Sequence, residues 1–206
     1  MEIIAENIGK KFSKEWIFRN LSFKLTNNRS LAITGPNGSG KSTLLQVIAG
    51  SSIPTQGTIS YKKENQVVAP DQFYSYISYA APYLELIEEM TIRELADFHK
   101  GFKPFARNIS TEQFLSNIKL DHAADKEIRV LSSGMKQRVK LGLALFSGTP
   151  ILLLDEPTTN LDSTGIDWYL EEIKKQLQKR IIIICSNQRY EYDFCDEELK
   201  ILDNRF

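Results

Sequence analysis

The residues Gly35-Pro36-Asn37-Gly38-Ser39-Gly40-Lys41-Ser42-Thr43 are those whose types and spacing most directly specify chemistry. They fit G-x-x-x-x-G-K-[ST], a loop that wraps phosphate groups in backbone amides. Its glycines let N–H groups turn inward with no Cβ in the way, and a helix starting directly after it adds the positive end of a dipole. Lys41 is expected to reach the β- and γ-phosphates and the Ser42 hydroxyl to bind Mg²⁺. Thr43 is expected to help close the loop on the α-phosphate side. The pattern is informative only between a strand and a helix. Leu31-Ala32-Ile33 before it and Leu44, Leu45, Val47 and Ile48 after it supply both.

A second group of reactive residues stands far downstream. Ile151-Leu152-Leu153-Leu154-Asp155 is an unbroken aliphatic run ending in a carboxylate, with Glu156 next to it. Such a run suits a parallel strand buried on both faces. The carboxyl end of such a strand is where open α/β sheets bind ligands. Asp155 is the expected holder of Mg²⁺ and Glu156 the group that polarises a water against the γ-phosphate. A carboxylate that merely closes a strand is common in isolation, but a phosphate loop upstream favours the chemical reading. Before that strand comes Leu131-Ser132-Ser133-Gly134-Met135-Lys136-Gln137-Arg138. Ser132 and Ser133 can cap a helix whose buried face carries Val139, Leu143 and Phe146.

These groups need a framework to hold them. Glu2–Glu6 and Leu21–Leu25 read as short strands, with Phe12, Trp16 and Phe18 between them and a hairpin turn at Asn27-Asn28. Gly50 suits a helix stop, Gly57–Tyr61 a strand, and Ser75–Ala80 another strand. Thr91 with Glu94 resembles a capping box. A helix follows over Thr111–Leu120, with Phe114, Leu115 and Ile118 apolar. His99 and His122, the only histidines, fall in this helical stretch and read as packing or solvated residues. Ile166, Tyr169, Leu170, Ile173 and Leu177 mark an amphipathic helix before a buried strand at Ile181–Ile184. The predicted fold is α/β: a mostly parallel core sheet, an N-terminal antiparallel β subdomain and an inserted α-helical subdomain at about 83–148, all within one domain of 1–206.

Composition narrows the function classes. The chain has 206 residues, 42% of them hydrophobic, and 26 basic against 26 acidic residues. A net charge of zero gives no electrostatic case for nucleic acid or an anionic membrane surface. Cys185 and Cys195 show neither metal-ligand spacing nor a disulfide framework. Met1–Glu6 lacks the pattern of a secretion signal, and no apolar stretch approaches membrane-spanning length. The expectation is a cytoplasmic chain that serves any membrane process through another chain.

The order of these motifs resembles the ATP-binding subunits of ABC transporters. Gly35 to Ser42 matches Walker A, Ile151 to Glu156 matches Walker B, Leu131 to Met135 is similar to the signature motif, and Thr159-Asn160-Leu161-Asp162 resembles the D-loop. The resemblance implies ATP and Mg²⁺ as ligands, with Phe12 as the aromatic stacked on adenine and Trp16 or Phe18 as alternatives. It implies a head-to-tail dimer in which Ser132, the Gly134 amide and Asp162 approach the nucleotide held by the other subunit. A separate transmembrane subunit would then be moved by closure on ATP, placing the chain at the inner face of the cell membrane.

Three departures from that pattern matter. Ser133 and Met135 replace the signature's usual glycine and glutamine. Ala80-Ala81-Pro82-Tyr83 occupies the loop that ordinarily carries a glutamine, and Asn187 stands where a histidine is usual. An asparagine amide donates a hydrogen bond but brings no charge, so slow hydrolysis is expected. The leading expectation is a transport ATPase, with export favoured. A regulatory nucleotide-binding module and an ABC ATPase unconnected with transport are the alternatives.

Overall fold

The computed structural model describes residues 1–201. Two sheets share the described residues. The first is antiparallel and combines β1 (Glu2–Phe12), β2 (Glu15–Thr26), β4 (Gln56–Lys63) and β5 (Gln66–Val67) in the order β2-β1-β4-β5. The second is parallel and combines β3 (Ser30–Thr34), β6 (Ile77–Ala80), β7 (Ile151–Asp155), β8 (Ile181–Cys185) and β9 (Glu197–Lys200) in the order β6-β7-β8-β3-β9. Among the described residues, five α-helices complete the fold: α1 (Lys41–Ile48), α2 (Ile92–Phe102), α3 (Thr111–Asn117), α4 (Ser133–Phe146) and α5 (Ser163–Lys174).

Side-chain alternation along β7 and β8 divides the core in two. Ile151 and Leu153, with Ile181 and Ile183, pack on α1 and the antiparallel sheet through Ile3, Ile8, Phe18, Leu44 and Ile48. Leu152 and Leu154, with Ile182 and Ile184, pack on the helical layer through Phe114, Val139, Leu145 and Trp168. Each buried aliphatic contributes about 1.5–3 kcal/mol against exposure, so an unbroken aliphatic strand is stable only where both faces are covered. β7 and β8 are covered in this way, as the aliphatic runs predict.

The N-terminal strands are longer than expected. β1 and β2 pair from Glu2↔Thr26 to Phe12↔Glu15, with register shifts near Asn7 and Gly9 that accommodate polar residues within the strand. Their hairpin turn is Ser13-Lys14, where Ser13 has φ 52°. Asn27-Asn28 is instead the connection from the first sheet into the second, so it joins no hairpin. Phe12, Trp16 and Phe18 therefore lie on strands rather than between them. Residues 73–76 form a 3₁₀ turn before β6, shortening the strand expected there, and α3 ends at Asn117.

Caps hold the helical layer. Thr91 and Glu94 close a reciprocal capping box on α2, and Ser110 and Gln113 close a second one on α3. Arg180, just ahead of β8, is 6% exposed. Its guanidinium donates to the carbonyls of Leu145 at 2.6 Å and Ser147 at 3.1 Å. These are orphan acceptors at the end of α4, where a cation is also favoured by the negative end of the helix dipole.

Candidate active site

The phosphate loop turns from β3 into α1 through three glycines at positive φ: Gly35 at 144°, Gly38 at 79° and Gly40 at 97°. Two of them are required by space as well as by angle. A Cβ on Gly40 would lie 2.2 Å from Ile17 Cγ2, and one on Gly35 would lie 2.4 Å from the Ile201 carbonyl oxygen. Gly40 is also the N-cap of α1, with no side chain capping the first turn. The first-turn amides are therefore available to an anion. Lys41 is buried, and its ammonium donates to the carbonyls of Gly35 at 2.8 Å and Pro36 at 3.2 Å. The loop thus encloses its own cation.

Asp155 ends β7, opposite Cys185 of β8. It is 2% exposed, and neither carboxylate oxygen has a hydrogen-bond partner. Burial pushes its carboxyl above the usual carboxylate range; the neighbouring Ser42 hydroxyl and the Lys41 charge oppose this, and the Glu156 and Glu191 charges add to it. An unpaired buried carboxylate is costly, which makes it a fitting ligand for a hard divalent cation. Ser42 supplies a hydroxyl from the helix start beside the loop. The residues present fit Mg²⁺.

Glu156 turns out of the strand at φ 41°, and its backbone N–H donates to the Cys185 carbonyl at 2.8 Å. It is exposed, and it lines two adjoining cavities. One, of about 280 Å³, is bounded by Ile17, Lys41, Ser42 and Thr43 of the loop side. The other, of about 290 Å³, is bounded by Thr158, Asn187, Tyr190 and Glu191. Asn37 lines both. Asn187 enters the second cavity, and its amide donates to Asn37 Oδ1 at 2.6 Å. The structure thus brings Asn37, Lys41 and Ser42 of the phosphate loop together with Glu156 and Asn187 from far downstream in the sequence.

Ser132, Gly134 and Asp162 line neither cavity. Ser132 is the N-cap of α4, its hydroxyl accepting from the Met135 N–H at 3.2 Å. Ser133 opens the helix with no positive φ, so a serine replaces glycine there without strain. Gly134 approaches the loop after β7: a Cβ on it would lie 3.0 Å from the Asn160 carbonyl oxygen. Asp162 caps α5 by accepting from the Gly165 N–H at 2.8 Å, and it faces Arg138 of α4 at 3.5 Å.

Among the aromatics considered for a base, Phe18 is completely buried in the core, which removes it as a stacking surface. Phe12 is 53% exposed with the Lys10 ammonium over its ring, and Trp16 is flanked by Arg19 and Lys11. Ile17 was not expected at the site. It is an apolar strand residue with no distinguishing pattern, and only the approach of β2 to the loop exposes its role. Glu191 and Thr158 were likewise not legible. At the loop lacking a glutamine, the Pro82 carbonyl accepts from Lys140 Nζ at 2.8 Å, and the hydroxyls of Tyr79 and Tyr83 are in contact.

A strand–loop–helix phosphate cradle beside an acidic strand end in a parallel sheet defines a P-loop nucleoside triphosphatase. The model of the ABC transporter family matches residues 18–159, and the chain belongs to that family as an ATP-binding ATPase. It is 29% identical over 194 residues to the cytochrome c biogenesis ATP-binding export protein CcmA of Agrobacterium fabrum, covering 92% of this chain and 90% of that one. It is 28% identical over 217 residues to HrtA of Staphylococcus aureus strain Newman, an ATP-binding protein named for hemin import; 100% of this chain and 97% of that one are covered. The dimeric structure of the ATP-binding cassette MJ0796 bound to ADP and Pi superposes with a TM-score of 0.83 over 98% of this chain and 94% of that one. At 23% identity that likeness is one of fold.

Proposed function

We propose that this chain is the ATP-hydrolysing subunit of an ABC transporter, with residues 1–206 acting as one domain into which a helical subdomain of about 83–148 is inserted, and with a separate membrane subunit as its partner. Among the described residues no helix is long and apolar enough to cross a membrane. The observation that carries the reading is Asp155, a buried carboxylate with both oxygens unpartnered beside the phosphate loop.

The backbone amides of Gly38, Ser39, Gly40 and Lys41 hold the β- and γ-phosphates of ATP. Lys41 exchanges its loop carbonyls for phosphate oxygens, and Thr43 closes the α-phosphate side. Phe12 offers its exposed ring to adenine. Ser42 and Asp155 hold Mg²⁺, which when bound neutralises charge developing on the phosphates. Glu156 orients a water towards the γ-phosphate and accepts its proton. Asn187 donates a hydrogen bond to the γ-phosphate region without adding charge. In a head-to-tail dimer, Ser132, the Gly134 amide and Asp162 complete the site of the second copy. Closure on ATP and opening after hydrolysis then move the membrane subunit.

Export is the proposed direction, supported by the CcmA relative, which is named for export, and opposed by HrtA, which is named for hemin import. The second reading, a module that closes on ATP with little turnover, is favoured by Asn187, which is uncharged and already uses one of its two amide N–H donors on Asn37.

The test is ATP turnover with Mg²⁺ by the purified chain beside its Glu156→Gln form, with size measured under the same conditions. Turnover abolished by the substitution, with an ATP-trapped dimer, supports the transport ATPase. Tight binding without turnover in either form favours the second reading, and no binding sinks both.

A further inference from the structure

Glu191 is 1% exposed, yet it is a carboxylate at the wall of the cavity that Glu156 and Asn187 share. Its Oε1 accepts from the Thr158 backbone N–H at 2.8 Å and from the Thr158 hydroxyl. Its Oε2 is buried with no partner at hydrogen-bond distance, the Ser186 hydroxyl being a neighbour of the carboxylate. The Tyr190 hydroxyl lies 3.1 Å from Thr158 Oγ1, so two consecutive residues of one loop grip one residue of the other. From behind, the Tyr169 hydroxyl of α5 donates to the Glu191 carbonyl at 3.2 Å and fixes the turn.

The two loops are those that carry the chemistry. Thr158 lies two residues after Glu156, and Glu191 four residues after Asn187. Glu156 is held at φ 41°, a left-handed conformation that costs a non-glycine residue about 1 kcal/mol or more and persists only where its surroundings enforce it. Its segment has three anchors. Glu156 N–H donates to Cys185 O at 2.8 Å, Gln137 Nε2 donates to Pro157 O at 2.8 Å, and Thr158 N–H donates to Glu191. The third reaches past the strand end to the turn behind Asn187. A side chain of similar size without charge would fill the space at lower desolvation cost, so packing alone does not explain a carboxylate there.

We propose that Glu191 is a positioning residue for hydrolysis, its buried carboxylate clamping the loop that carries Glu156 to the loop that carries Asn187. The clamp keeps the water-polarising carboxylate and the Asn187 amide at a set separation across the shared cavity. A displacement of about 1 Å at such a site costs up to ~10²-fold in rate. The inference rests on the reading of Glu156 given above.

The test compares Glu191→Met, which keeps the volume and loses both acceptors, with Glu191→Gln, whose amide oxygen still accepts from Thr158. Turnover is counted per ATP-binding molecule. The expected result for Glu191→Met is a kcat lower by about 10–100-fold with ATP affinity within ~3-fold of wild type. Glu191→Gln stays within ~3-fold of wild-type kcat, because the acceptor is retained. Amide exchange in 156–161 speeds up in the Met form while that of the phosphate loop does not. Wild-type turnover in Glu191→Met, or equal losses in the Met and Gln forms, overturns the clamp. If Glu191→Met does not fold, Glu191→Leu, which also lacks both acceptors for Thr158, takes its place, and wild-type turnover there overturns the clamp equally. Glu156→Gln run alongside separates the two readings. Turnover surviving in it sinks the role of Glu156, whereas turnover lost in it but kept in Glu191→Met sinks only the clamp.

Discussion

The side-chain amide of Asn187 donates to Asn37 Oδ1 at 2.6 Å, joining the loop after β8 directly to the phosphate loop. Asn187 is therefore the residue of its loop that meets the phosphate side of the cavity. One charge-stabilising donor at a transition state is worth on the order of 10²–10³ in rate. Asn187→His is expected to raise ATP turnover by about 10-fold or more, and Asn187→Ala to lower it. Phosphate release by the three forms at saturating ATP is the measurement. No gain in the histidine form would mean that hydrolysis is limited elsewhere.

Asp155 sets stability and metal dependence against each other. Its carboxyl is raised by burial, so the folded state binds its proton more tightly than the unfolded chain does. The stability this group allows is present at low pH and is lost as pH rises through the folded-state value. Asp155→Asn removes the unpaired charge. Near neutral pH and with Mg²⁺ chelated, it is expected to be more stable by about 1–2 kcal/mol. It should also lose the tightening of ATP binding that Mg²⁺ gives the wild type. Thermal melts in chelator and in Mg-ATP check both arms, and a less stable apo-mutant would contradict the reading.

Two glycines are predicted to behave in opposite ways. Gly40→Ala combines φ 97° with a Cβ 2.2 Å from Ile17 Cγ2, and is expected to cost about 2–4 kcal/mol and most of the ATP affinity. Gly101 lies in α2 with nothing within 4 Å of an added Cβ. Gly101→Ala is expected to stabilise the chain by up to about 1 kcal/mol. Urea unfolding of both, with nucleotide titration of the first, is the check.

His99 is predicted to make the helical layer acid-sensitive. Its ring stacks on Phe105, and burial first, then the Lys103 charge, lowers its pKa to about 4. Ser147 Oγ donates to the Leu143 carbonyl at 2.6 Å, so the 2.8 Å contact with His99 is Nε2–H donating to that oxygen. That bond can be made by either protonation state, and it is burial that makes the neutral ring the form the site accepts. The unfolded chain takes up a proton near 6.5, so stability falls as pH drops from about 6.5 to about 4, by roughly 1–3 kcal/mol in all. In His99→Gln that part of the pH dependence should vanish, and urea unfolding at neutral and mildly acid pH would reveal it.

Much of the site was legible in the sequence because it is local. The phosphate loop needs glycines, lysine and serine at set spacing between a strand and a helix, and each requirement acts within a few residues. Asp155 and Glu156 could be placed because a strand buried on both faces must be aliphatic throughout. The capping pair Thr91 and Glu94 was readable for the same reason, since the reciprocal bonds span three residues.

What only the tertiary structure decided involves residues whose role comes from across the fold. Phe18 and Phe12 are the same residue type six positions apart. The core covers one and leaves the other exposed, a difference set by which face of β1 and β2 meets α1. Ile17 matters because β2 carries it against Gly40, and Glu191 because the ends of β7 and β8 lie side by side. Nothing in Arg189-Tyr190-Glu191 marks its carboxylate as buried. Local sequence determined the groups proposed to hold phosphate and metal, since their chemistry is written in backbone conformation and residue type. Their mutual positioning was decided by strand order, because hydrogen bonds between loops exist only after the parallel sheet has brought those loops together.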